Sequence, residues 1–240
     1  MPGIKRQYNK VLLKLSGEAL AGDKGFGIDV KVIEKTSREI KEVVQLGVQL
    51  GIVIGGGNIF RGVAASARGM DRIQADYLGM LATLFNAVAI KETLIKAKIP
   101  AQVLSALAIP ALAQTYLPHE AKGLMEKGIV LLLAAGTGNP FFTTDTAAAL
   151  RAAELGAEVI LKATQVDGVF DDNPRVNPRA KIYKEISYAA FLQGHLQVMD
   201  ATAVSLAREH HIPLIVFNGL VPGNLKKIIL GSSVGTLIKG

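Results

Sequence analysis

Short runs of β-branched residues and leucine alternate with amphipathic stretches along this chain, and nearly every junction between them carries glycine. That alternation is βαβ order, which builds a largely parallel sheet and sets helices on both of its faces. Residues 11–15 read as the first strand, and 28–46 as a helix with Asp29 near its start and Gly47 as its C-cap. A strand at 48–54 runs into Gly55-Gly56-Gly57-Asn58, and a long helix from about 71 to 98 stops before Pro100. Strands follow at 101–104, 129–133 and 159–162, with helices between them. Beyond Lys162 the chain turns polar and turn-rich, with room for a hairpin at 166–178. Helices at 188–193, 200–209 and 224–230 and strands at 214–217 and 235–238 complete the pattern. Without repeats or a flexible linker, the 240 residues read as one domain with two lobes, about 1–160 and 161–240.

Half of the residues are hydrophobic, enough for a sizeable core. No stretch approaches the roughly 20 apolar residues of a membrane span, and residues 1–10 lack the apolar run of a signal peptide. The expectation is a cytoplasmic protein with no membrane partner. Zero cysteines exclude disulfides and thiolate chemistry, and the 4 histidines are too scattered for zinc. Any metal is expected to be magnesium brought in by a phosphorylated ligand. The formal charge of +7 suits an acidic partner, either a nucleotide or a nucleic acid. Nucleic acid is the weaker of the two, because no Lys/Arg run exceeds two residues and tryptophan is absent.

Chemistry concentrates where strands end. The strand at 129–133 leads into Gly136-Thr137-Gly138-Asn139-Pro140-Phe141-Phe142-Thr143-Thr144-Asp145, and an alanine-rich helix then starts with amides free to face an anion. No lysine follows the glycines as in a P-loop, and Phe141 stands where a dinucleotide fingerprint needs a small residue. An ordinary capped turn remains the alternative for this loop alone. Lys14-Leu15-Ser16-Gly17 ends the first strand, Gly55-Gly56-Gly57-Asn58 with Arg61 ends the second, and Lys162 with Thr164 ends another. In a parallel sheet these ends share one edge, so the three glycine-bearing loops should converge on one anionic centre, with Lys162 at the end of a fourth strand beside them. Lys14, Arg61 and Lys162 would repel one another without a counter-charge, and Asp145 is the candidate. Asp76 reads either as a helix-surface partner of Arg72 or as an acceptor for ribose hydroxyls, and spacing alone favours the former.

Taken together, these motifs, with Met70-Asp71-Arg72, Asp76-Tyr77-Leu78-Gly79-Met80, Val166-Asp167-Gly168-Val169-Phe170 and Val198-Met199-Asp200, resemble the amino acid kinase family over essentially the whole chain. The resemblance implies a three-layer αβα sandwich around a mainly parallel sheet, a homohexamer, and transfer of the γ-phosphate of magnesium-ATP to UMP. It implies ATP at Lys14, Leu15, Ser16, Gly17, Gly57, Arg61, Thr164, Phe170 and Asn173. It implies UMP at Gly56, Asp76, Thr137, Gly138, Asn139, Pro140, Phe141, Phe142, Thr143 and Thr144, so that the first lobe holds UMP and the second ATP. Gly22, Asp23, Lys24, Gly25, Phe26 and Gly27 are similar to the region through which GTP acts, with GTP and UTP as candidate effectors. On its own this segment is a flexible glycine loop.

Two positions depart from the family pattern. Asn173 stands where aspartate is usual, which keeps an acceptor oxygen and loses a charge that Asp171 or Asp172 could supply. Phe170 replaces tyrosine, keeping a stacking face and losing a hydroxyl. The acceptor phosphate, with a second pKa of about 6 by analogy with phosphoesters, is ionised at neutral pH and needs no general base. Asp145 is therefore expected to orient the cations, and Lys14, Arg61 and Lys162 to neutralise charge on the transferring group. Two alternatives stay open: a family member whose acceptor is a carboxylate, such as acetylglutamate, and a nucleotide-sensing or DNA-binding regulator.

Overall fold

A strand buried on both faces must send alternate side chains into two different cores. The first strand, β1 (Lys10–Leu15), does so: Val11 and Leu13 enter one apolar cluster and Leu12 a second on the opposite face. The computed structural model describes residues 5–174, 176–196 and 198–240. Residues 1–4, part of the N-terminal stretch read above, lie outside the described residues. After β1 come α1 (Val30–Val44), β2 (Gln49–Ile54), α2 (Gly62–Ser66), α3 (Arg72–Lys96), β3 (Ala101–Ser105), β4 (Gln114–Thr115), α4 (Pro118–Glu126) and β5 (Val130–Ala134). Then follow α5 (Thr144–Leu155), β6 (Val159–Thr164), β7 (Glu185–Ser187), α6 (Tyr188–Gln193), α7 (Ala201–Glu209), β8 (Leu214–Asn218), α8 (Asn224–Ile229) and β9 (Thr236–Lys239).

The strands form one sheet in the order β4-β3-β5-β2-β1-β6-β8-β9-β7. All of its pairings are parallel except β8 with β9. On one face, Ile40 of α1, Ile90 of α3 and Ile228 of α8 pack over Val11, Ile52 and Leu161. On the other, Ala148 and Ala152 of α5, Phe191 of α6 and Val204 of α7 cover Leu12, Val53 and Ile160. This is the three-layer αβα sandwich. The small alanine side chains let α5 lie close against the central strands, which brings its N-terminus to their carboxyl ends.

Several boundaries differ from the sequence reading for local reasons. Asp29 is the N-cap of α1, accepting from Lys31 N at 2.8 Å, and Gln45, not Gly47, is its C-cap, so Gly47 (φ +81°) lies two residues past the cap. α3 ends at Lys96, before Lys98 reverses the chain at φ +63°. Among the described residues of 166–178 no strands pair; one bridge, Phe170 with Ile182, closes the excursion. β4 and β7 are too short, at 2 and 3 residues, to announce themselves in sequence. α3 also corrects the statement that no stretch is long and apolar enough to span a membrane, since an 18-residue window of it has a mean hydropathy of 1.4. Its inner face is spent on the first core, through Leu84, Ala87, Ile90 and Leu94.

Candidate active site

Lys14 and Lys162 are register partners on β1 and β6. Leu12 and Ile160, two residues earlier on each strand, face the second core, so the period of two sends both lysines toward α5. Thr143 caps α5, its Oγ1 accepting from Asp145 N at 3.0 Å and Thr146 N at 3.3 Å, which fixes Asp145 in the first turn. There Lys14 Nζ lies 2.8 Å from Asp145 Oδ1, and Lys162 Nζ donates to Oδ2. All three residues are buried, at 8, 8 and 7% exposure for Lys14, Asp145 and Lys162. Burial alone raises the Asp145 carboxyl, but the charges and hydrogen bonds of Lys14 and Lys162 outweigh it and hold the group below the usual carboxylate range. For Lys162, burial pushes the ammonium below the ordinary lysine value; the Asp145 charge opposes that shift and the Lys14 cation reinforces it.

An open cleft of about 660 Å³ begins at this cluster, lined by Lys14, Thr143, Thr144, Asp145, Met199 and Asp200 among others. Sequence reading placed Asp200 in a motif of the resemblance and at a helix start but gave it no role. Its carboxylate caps α7 by accepting from Ala203 N at 2.7 Å, and it also accepts from Thr146 Oγ1 at 3.1 Å and from Thr143 Oγ1. One aspartate thus ties the start of α7 to the start of α5. The signal available in sequence was an Asp directly before the helical run at 201–209, which reads as a cap and nothing more.

Of the two readings of Asp76, the structure bears out the pair with Arg72 and adds a second partner. Arg72 Nε donates to Oδ1 at 3.0 Å and to Oδ2 at 2.9 Å, while Phe141 N donates to Oδ2 at 2.8 Å. Asp76 therefore anchors the loop after β5 as well as pairing along the helix. Phe141 and Phe142 are exposed, and Thr137 Oγ1 accepts from Asn139 N at 3.1 Å. Between the loops, packing demands the glycines: a Cβ on Gly17 would stand 2.3 Å from Gly55 O, and one on Gly56 2.8 Å from Gly79 O. The close approach binds the end of β1 to that of β2 and β2 to α3.

Other expected members lie apart from the lysine cluster. Arg61 is exposed and takes Glu18, not Asp145, as counter-charge, at 2.9 Å. Thr164 Oγ1 donates to Val166 O at 2.8 Å, and the residue lines a small apolar cavity of about 80 Å³ with Leu15 and Ser16 on the α1 side of the sheet. Phe170, Asp171, Asp172 and Asn173 line a separate cleft of about 480 Å³ that meets the first at His195 and Leu196. Hydrogen bonds from Asn177 and from the Asn173 amide hold the Asp172 carboxyl below its ordinary value. The Gly22, Asp23, Lys24, Gly25, Phe26 and Gly27 segment is less free than a glycine loop suggests. Gly27 N donates to Asn58 O at 2.8 Å, and Asn58 Nδ2 to Gly27 O at 2.7 Å. Buried Asn58 is bonded in turn to Asn86, which donates to Gly55 O at 2.8 Å.

No group of three His, Cys, Asp or Glu gathers at metal-binding distance among the described residues. The carboxylates at the cleft, Asp145 and Asp200, are already engaged by lysines, hydroxyls and an amide. That donor set fits an ion held chiefly by phosphate oxygens of a bound nucleotide.

Comparison with known proteins finds relatives over nearly the whole chain. The model of the amino acid kinase family matches residues 9–218. A uridylate kinase of Pseudoalteromonas atlantica is 50% identical over 234 residues, covering 98% of this chain and 95% of its own. Among solved structures, the UMP kinase of Bacillus anthracis superposes with a TM-score of 0.94 at 40% identity, covering 97% of this chain and 96% of that one. The UMP kinase of Ureaplasma parvum gives 0.91 at 36%, covering 98% and 100%.

Proposed function

The chain belongs to the amino acid kinase family, and from that premise we infer that it transfers the γ-phosphate of ATP to UMP, giving UDP and ADP. The observation that carries this reading is the buried pair of lysines clamped on one carboxylate at the mouth of a capped helix. Phosphoryl transfer asks little covalent chemistry of the protein; it asks for placement and for positive charge where oxygens crowd. Lys14 and Lys162 supply that charge, and Asp145 holds both ammonium groups in place. The acceptor oxygen is already ionised near neutral pH, so Asp145 removes no proton. Arg61 joins when a nucleotide draws it from Glu18, a surface pair that costs little to break.

On this reading UMP occupies the first lobe, with Asp76 accepting from ribose and Gly56, Thr137, Gly138, Asn139, Pro140, Phe141, Phe142, Thr143 and Thr144 forming its bed. ATP lies across to the second lobe, its phosphates along Lys14, Leu15, Ser16, Gly17, Gly57 and Arg61 at the edge of the first and the rest of the nucleotide against Thr164, Phe170 and Asn173 in the second. Magnesium bound to the phosphates of ATP adds charge neutralisation. An acetylglutamate acceptor would want an arginine or amide clamp where Asp76 stands. The protein works in the cytoplasm as a homohexamer built from dimers. Support for self-association is the exposed stripe Leu78, Leu81 and Phe85 on α3, at 40, 39 and 65% exposure and helical spacing. GTP acts as an effector through the segment at 22–27, whose hydrogen bonds through Asn58 and Asn86 reach the Gly55 carbonyl, and UTP is a second effector. Incubation with magnesium-ATP and, separately, UMP, CMP or acetylglutamate, following ADP, tests the acceptor. Turnover with UMP is expected; turnover with acetylglutamate alone would sink the reading.

A further inference from the structure

The loop after β5 holds an expensive backbone. Ala135 stands at φ +61°, Gly136 at +58° and Phe141 at +71°. For alanine and phenylalanine the left-handed region costs about 1–2 kcal/mol per residue, so the conformation has to be held by contacts. Phe141 has Asp76. Ala135 and Gly136 are held by two buried side chains from other elements. Thr83 of α3 accepts from Ala135 N at 2.7 Å and donates to Met80 O at 2.7 Å. Arg151 of α5, 5% exposed, donates through Nη2 to Gly136 O at 3.1 Å.

Arg151 is itself locked. Its Nη1 donates to Glu154 Oε2 at 2.7 Å, the Tyr116 hydroxyl donates to the same oxygen at 2.8 Å, and the Tyr116 ring lies 4.0 Å from the guanidinium carbon. Burial first, and then the Glu154 carboxylate, raise the Tyr116 hydroxyl far above the ordinary tyrosine value, so it remains a donor at any working pH. A helical ion pair alone would account for Arg151 with Glu154. It leaves unexplained a second guanidinium nitrogen turned onto the Gly136 carbonyl, next to strained Ala135 and 15 residues back in the chain.

We propose that Arg151 and Thr83 are positioning residues for the phosphate acceptor, holding the strained entrance of the 135–144 loop in the shape that receives UMP. Tyr116 and Glu154 hold Arg151. The inference rests on the reading of residues 137–144 as the UMP bed. Because both side chains spend their hydrogen bonds on the 135–136 main chain, on Met80 O and on Glu154, and not on the loops after β1 and β2, the donor side should not register their loss.

Steady-state kinetics with UMP and ATP varied in turn test this. Arg151→Met is expected to raise the KM for UMP about tenfold or more while the KM for ATP stays within about twofold, with Arg151→Lys intermediate. Thr83→Val should show the same split and Thr83→Ser should restore it. If Arg151→Met fails to give a cooperative melt, the Thr83 pair decides. Wild-type KM values in the variants, or equal rises for both nucleotides, overturn the proposal. A wild-type protein that does not phosphorylate UMP overturns the reading beneath it, an outcome visible before any variant is made.

Discussion

Lys14 and Lys162 sit directly opposite one another on adjacent parallel strands, and both ammonium groups end on the two oxygens of Asp145. Strand register, not loop shape, sets the spacing of the two cations. A charge pair mounted on the centre of a sheet moves little when nucleotides come and go, which is what electrostatic preorganisation requires.

Asp145→Asn should lower kcat strongly and leave the shape of the pH profile unchanged. The acid limb, near pH 6, belongs to the acceptor phosphate and not to Asp145. Loss of that limb in the variant would make Asp145 a general base. The same variant leaves two buried cations without their anion, and a loss of about 3–5 kcal/mol is expected in denaturant unfolding at pH 7. Since the folded carboxyl lies below its unfolded value of about 3.9, that stabilisation is full above this pH and disappears as pH falls through the folded value.

Lys162 should set the alkaline limb. Its folded value lies below the unfolded value of about 10.4, so the folded protein loses this proton first. Its penalty on stability is present below the folded value and is relieved as pH rises through it. Turnover needs the charged form, so kcat/KM should begin to fall below about pH 10.4, and Lys162→Arg should move that fall upward. An unmoved limb would assign it elsewhere.

Asp76→Ala should raise the KM for UMP about tenfold and that for ATP less than twofold, since it removes both the proposed ribose acceptor and the anchor on Phe141 N. A rise confined to ATP would place Asp76 on the donor side.

Asp200→Ala should destabilise by about 1–2 kcal/mol, lowering Tm by roughly 4 °C in a thermal melt, because it removes the cap of α7 and the acceptor of two threonine hydroxyls on α5. An unchanged Tm would mean that the two helix starts are not held together through this carboxylate.

Much of the site was legible in the chain because it is local. Lys14, Lys162 and the glycine loops end strands that announce themselves by hydrophobic runs, and parallel order sends such ends to one edge. Asp145 was legible as the acid of a capped first turn. Arg61 was misjudged because pairing it with Asp145 considered total charge, and its actual partner, Glu18, lies in a 3-10 segment that no periodicity marks. Arg151 and Thr83 stayed hidden for another reason. Each looks like an ordinary polar residue in an apolar helix, and its partner is a main-chain atom whose strain exists only in three dimensions. β4 and β7 escaped because two or three residues carry no pattern, and the edge position of β7 follows from the antiparallel turn of β9.

The central claim is that this lysine-carboxylate centre moves phosphate from ATP onto the phosphate of UMP. Its most direct test uses ATP labelled at the γ-phosphate, with UMP and magnesium, and locates the label in the products. Recovery of the label in the β-phosphate of UDP, abolished by Lys14→Met, is the expected result. Label found only in inorganic phosphate, or UDP labelled equally by the Lys14→Met protein, would contradict it.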